Sequence, residues 1–263
     1  MEAIRRDFLP EDLRKEMSAV GIQSSVAVQA RQTLEETESL LRMAESCDFI
    51  DGVVGWLPLR EPSFAAELER FAGHPKLKGL RHVVHDEPDD DYILGPEFNA
   101  GIELLRRFNL VYDILIFEKH LPRTIQFVDR HPNQLFVLDH IAKPRIRDRE
   151  LSPWRENLTE LSRRENVYCK LSGVVTEAAW TDWKPEDVEP YMDFALEAFG
   201  PERLMFGSDW PVLLLASSYS QWVETVRSRI NKLSITEQEQ IMGLTAAKAY
   251  GLCDGGEELG QQA

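Results

Sequence analysis

Seven short apolar runs recur along the chain, each followed by a longer stretch with helical spacing of its apolar residues, and this alternation narrows the fold more than any other feature. The runs are IQSSVAV (22–28), FIDGVVGW (49–56), LKGLRHVV (77–84), LVYDILIF (110–117), LFVLDH (135–140), NVYCKLS (166–172) and RLMFG (203–207). Between them lie segments such as TLEETESLLRMAES and DVEPYMDFALEAFG, whose apolar residues fall on one helical face. Strands that alternate with helices predict βα units on a parallel sheet. No Ser/Gly linker or shift of composition divides the 263 residues, so one barrel or open sheet is expected over residues 1–252. The tail CDGGEELGQQA (253–263) is expected to be disordered.

Composition removes several classes of partner. A net charge of −15, from 45 acidic against 30 basic residues, argues against a nucleic-acid partner, which needs clustered Lys and Arg. No Gly-rich phosphate loop opens a helix after the first run, which argues against a nucleotide cofactor. FGSDW is not a G-x-S-x-G elbow, so Ser208 is a poor nucleophile candidate. Cys47, Cys169 and Cys253 are too scattered for a disulfide framework or a zinc knuckle and read as free thiols in a reducing compartment. MEAIRRDFLPEDL has no signal-peptide core, and no run is long enough to span a membrane. The expectation is a cytoplasmic protein without a membrane partner, with homo-oligomerisation open.

Residues that carry chemistry gather where the runs end. His85 and Asp86 follow the third, His120 the fourth, Asp139 and His140 close the fifth, Lys170 and Ser172 the sixth, and Asp209 follows the seventh. In parallel α/β folds the active site forms at the carboxyl ends of the strands, so these residues would converge from distant parts of the sequence. On strand alternation Asp209 shares the side of Met205 and Gly207, and the glycine leaves space beside it. Arg81 and His85 share one face and His82 takes the other. Each residue also has a plain structural reading: Asp209 as a helix cap, His140 as a satisfied strand-end histidine, Arg81 and Lys170 as partners of buried acids, Trp210 as rim packing.

Four motifs, GLRHVVHDEPDD (79–90), LDHIAKP (138–144), YCKLSGVVTEA (168–178) and RLMFGSDWPV (203–212), together with AAKAYGL (246–252), resemble the amidohydrolase-2 family of TIM-barrel hydrolases, and within it the sugar-lactonase branch. The resemblance spans nearly the whole chain. It implies a (β/α)8 TIM barrel and hydrolysis of a small sugar-derived or carboxylated lactone, or binding of the sugar acid, with Asp209 handling the attacking water. In that reading Asp209 and His140 are catalytic, and Arg81, His85, Lys170 and Trp210 contact substrate. The family opens with a strand ending in His-x-His, and this sequence contains no such pair, so the expectation is a barrel lacking its first strand. One divalent, zinc-like metal is the cofactor the resemblance raises. His140 and Asp209 are the two ligands that can be named, short of the three a catalytic zinc takes. The alternatives are a decarboxylase or amide hydrolase on the same barrel, or a catalytically inactive ligand-binding protein.

Overall fold

The computed structural model describes residues 2–252, so the expectation for residues 253–263 falls outside it. All seven runs form strands: β1 Ser25–Val28, β2 Ile50–Gly55, β3 Leu77–Val83, β4 Val111–Leu115, β5 Phe136–Leu138, β6 Val167–Leu171 and β7 Leu204–Phe206. They make one parallel sheet in sequential order, with β1 and β7 at its ends among the described residues.

The sheet is curled. Laid flat, β1 and β7 would stand roughly 29 Å apart at the usual strand spacing. Instead Val26 and Val28 of β1 pack into the same small cluster as Met205 of β7, together with Val54, Val111, Val137 and Tyr168. Ala249 and Tyr250, from the helix Thr245–Tyr250, complete that cluster and plug the amino ends of the strands from within.

Alternation sorts the strand residues into two sets. Val111 and Asp113, Tyr168 and Lys170, and Met205 point inward, while Tyr112, Ile114, Phe136, Leu138, Cys169 and Leu204 point out beneath the helices. The helices follow their apolar stripes: Leu34–Ser46 buries Thr37, Leu41 and Ala44, and Pro185–Phe199 buries Val188, Tyr191, Met192, Ala195 and Phe199. Thr33 caps the first of these by accepting from the Glu36 amide at 3.2 Å. No helix among the described residues is long and apolar enough to cross a membrane.

Candidate active site

The turn after β5 is the most unusual backbone in the chain. His140, Ile141, Ala142 and Lys143 all have positive φ (54°, 47°, 61° and 47°), a left-handed run without a glycine. Each such residue costs about 1–2 kcal/mol, so the surroundings must hold it. Ile141 and Ala142 are fully buried, and the Trp154 indole donates to the Ile141 carbonyl at 2.7 Å. The result turns the His140 ring in over the carboxyl ends of the strands.

Two glycines make room for it. Gly173, after β6, has φ +61°, and a Cβ there would stand 2.7 Å from His140 Cγ and Nδ1. A Cβ on Gly207, after β7, would meet Ser172 Cβ at 2.9 Å. Ser172 is thereby free to sit 2.8 Å from His140 Nδ1. On its other side, His140 Nε2 lies 3.6 Å from Asp209 Oδ1. A carboxylate can only accept, so one tautomer suits both neighbours: Nδ1 accepts from the Ser172 hydroxyl and Nε2 carries the proton towards Asp209. Burial lowers the His140 pKa, although the Asp209 and Asp139 charges oppose this, and the ring is neutral near pH 7.

Strand alternation is not what aims Asp209. β7 stops at Phe206, and Asp209 itself is left-handed, with φ 55°. The capping alternative also fails, because the turn Val212–Leu215 starts behind Pro211 without a side-chain cap. The neighbouring Trp210 is half-buried, and its ring meets Phe8 edge-on at 5.2 Å.

Arg81 and Lys170, expected as substrate contacts, are both engaged with buried acids. Inside the barrel, beneath the turn, Lys170 Nζ lies 2.5 Å from Asp113 and 2.7 Å from Asp139, while Arg81 Nη1 lies 2.7 Å from Asp139. The other Arg81 amine donates to the Gln29 carbonyl, and the Tyr250 hydroxyl reaches Asp113 at 2.8 Å. Asp113 and Asp139 are wholly buried, so both cations are engaged in neutralising them. Burial pushes Asp113 up to about 6 against the pull of Lys170. For Asp139 burial acts the same way, but Lys170 and Arg81 outweigh it and hold the carboxyl below its usual range.

The other histidines that follow or end β3 and β4 divide cleanly. His82 faces outward, receives the Trp56 indole N–H at 3.2 Å and meets Glu87 at 2.6 Å; His120 is buried between the Phe117 amide and Asp90, both at 3.2 Å. Both are satisfied within the fold. His85 is different. It stacks on Phe117 at 4.6 Å, its Nδ1 is buried without a partner among the described residues, and burial, aided by the positive charge of Lys143, lowers its pKa to about 4. Sequence reasoning passed over Lys143 and Glu177, which meet at 3.5 Å beside this stack. Burial raises the Glu177 pKa, Lys143 counters, and the Asp209 charge adds to the rise, which places Glu177 within electrostatic reach of Asp209. Both residues lie inside quoted motifs, but in turns, where strand alternation says nothing about direction.

A family model described as Amidohydrolase matches residues 2–252. The chain belongs to the amidohydrolase family. It is 42% identical to an L-fucono-1,5-lactonase of Burkholderia multivorans, over 96% of this chain and 88% of that protein. A second L-fucono-1,5-lactonase, from Burkholderia ambifaria, is 37% identical over 84% of this chain and 76% of its own length. The crystal structure of a Burkholderia multivorans amidohydrolase with bound Zn superposes with a TM-score of 0.93 at 41% identity, covering 96% of this chain and 92% of that one. In this amidohydrolase, among the described residues, no group of three His, Cys, Asp or Glu side chains is placed to hold a metal ion. His140 and Asp209 alone do not fit a catalytic zinc, which takes three protein ligands.

Proposed function

We propose that this amidohydrolase opens a small sugar-derived lactone by water attack on the ring carbonyl, with Asp209 as general base. The observation that carries the reading is the approach of Asp209 to a neutral, Ser172-held His140 at the carboxyl ends of β7 and β5, in a chain this similar to L-fucono-1,5-lactonases. A water hydrogen-bonded to Asp209 also comes within reach of His140 Nε2, because the two side-chain atoms are only 3.6 Å apart. Asp209 takes one proton from that water as its oxygen bonds to the carbonyl carbon. As the bond forms, negative charge develops on the carbonyl oxygen, and His140 Nε2–H donates to it and stabilises it. The tetrahedral species then breaks the bond from carbon to ring oxygen, and the proton held by Asp209 passes to that oxygen. The product is an open hydroxy acid, which ionises and releases a proton.

Arg81 and Lys170 act from below, by neutralising Asp113 and Asp139 so that the mouth is not burdened with two further negative charges. No step is routed through a metal, since the residues present supply two donors. The fold reading that accompanies this function is a (β/α)8-type barrel in which no described strand fills the place between β7 and β1. Acid release from a panel of five- and six-membered sugar lactones, followed with a pH indicator, tests the proposal. Turnover of at least one is expected, and a folded protein inert to the whole panel would overturn it.

A further inference from the structure

We infer that Lys143 and Glu177, standing beside the stacked rings of Phe117 and His85, form the wall that recognises the hydroxylated part of the substrate and select a neutral polyhydroxy lactone over a carboxylated one. The inference rests on the lactonase reading above and adds to it the residues that set specificity. Lys143 Nζ lies 3.5 Å from Glu177 and 5.6 Å from the centre of the Phe117 ring, which in turn stacks on His85 at 4.6 Å. The two charged side chains are 21% and 22% exposed, so each keeps a face towards solvent, and the Lys143 amide donates to the His140 carbonyl at 2.8 Å, which ties the pair to the candidate site.

Stability alone gives a poor account of this arrangement. A solvent-reaching ion pair contributes little to folding, yet here it hangs on a Lys143 backbone with φ 47°, in a run that a glycine would adopt more cheaply. Sugar chemistry gives a better one. Neighbouring hydroxyls both donate and accept, so a carboxylate and an ammonium side by side satisfy them in pairs, and the C–H edge of the ring packs on an aromatic face. His85 adds a buried Nδ1 that has no partner among the described residues.

Charge fixes the class of substrate further. Of the cations near the mouth, Lys143 is paired with Glu177 and Arg81 with Asp139, while Asp209 and Glu177 both present carboxylates. A substituent carboxylate on the lactone would face these acids without an unengaged cation among these residues to receive it. A neutral ring bearing hydroxyls meets no such repulsion.

The test compares three substrates, L-fucono-1,5-lactone, unsubstituted δ-valerolactone and a ring-carboxylated six-membered lactone, in wild type, Lys143→Met and Glu177→Gln. In wild type kcat/KM should be highest for the sugar lactone. Lys143→Met should lower the ratio of kcat/KM for the sugar lactone to that for δ-valerolactone by about 10- to 100-fold, the range for one charge-assisted hydrogen bond, chiefly through KM. Glu177→Gln, which keeps size and hydrogen bonding, should lower the same ratio and raise relative turnover of the carboxylated lactone. Thermal melting of each variant runs alongside. A lowered Tm with both substrate ratios unchanged would show a structural ion pair and overturn the inference while leaving the lactonase reading intact. Wild-type preference for the carboxylated lactone would overturn it as well. Failure of wild type on all three, and on the wider lactone panel, would remove the lactonase reading itself and this inference with it.

Discussion

Gly173→Ala adds one methyl group at the point where the His140 ring leaves no room for it. The new Cβ would stand 2.7 Å from His140 Cγ and Nδ1 and 2.9 Å from its Cβ, and ordinary contact begins at 3.4 Å, so the ring must retreat by about 0.7 Å. The backbone at φ +61° adds the left-handed penalty of about 1–2 kcal/mol for a residue with a side chain. Overpacking a buried ring adds roughly 1–3 kcal/mol, for a total loss of roughly 2–5 kcal/mol. The displaced ring cannot hold both its 2.8 Å contact to Ser172 and its approach to Asp209, and a shift of this order at a catalytic group costs about 10²-fold in rate. Gly251→Ala is the control: its φ of 54° and ψ of 47° are left-handed, but among the described residues nothing lies within 4 Å of the added Cβ, so it bears the backbone penalty alone. Urea unfolding and lactone kcat/KM of the two variants separate the terms. Gly173→Ala should be the less stable by roughly 1–3 kcal/mol and about 10²-fold slower, with Gly251→Ala at wild-type rate. Indistinguishable behaviour of the two would refute the packing of His140 against Gly173 as the device that aims the ring.

Two further changes test the buried charges and the mouth. Lys170→Met leaves Asp113 and Asp139 sharing Arg81 alone, and should cost about 3–5 kcal/mol in urea unfolding, partly recovered in Lys170→Met/Asp113→Asn; a loss below about 1 kcal/mol would mean that the network is not neutralised as described. His85 has a folded pKa of about 4 against 6.5 unfolded, because burial disfavours its charge. The unfolded chain therefore binds a proton that the folded one refuses, and stability falls as pH drops from 6.5 to 4, by at most about 3 kcal/mol. His85→Phe keeps the stack on Phe117 and removes the titration, so its stability should decline less than that of wild type across this window; parallel curves from pH 7 to 4 would contradict the assignment.

The strands were legible because their signal is local. Each apolar run is bounded by polar turns, and all seven formed within the expected ranges. The convergence of His140 and Asp209 was also legible, since parallel strands deliver their carboxyl ends to one mouth. The direction of individual side chains was less so. Alternation assigns faces only while the backbone stays extended, and His140, Lys143 and Asp209 all lie in left-handed turns beyond their strands. Arg81 and Lys170 both reach acids inside the curled sheet, Asp139 and Asp113 from other strands, and one sequence does not display which charges neutralise each other across it. Lys143 and Glu177 went unnoticed for the same reason, as turn residues 34 positions apart whose meeting depends on two separate loops.

The central claim is that Asp209 activates water against a lactone carbonyl, and the kinetics of Asp209→Asn test it most directly. The substitution keeps the size of the side chain and removes its capacity to take a proton. Measured on the best substrate of the lactone panel, with circular dichroism and thermal melting to confirm the fold, kcat should fall by about 10³-fold or more while Tm stays close to wild type. A folded Asp209→Asn variant that retains near wild-type kcat would contradict the account.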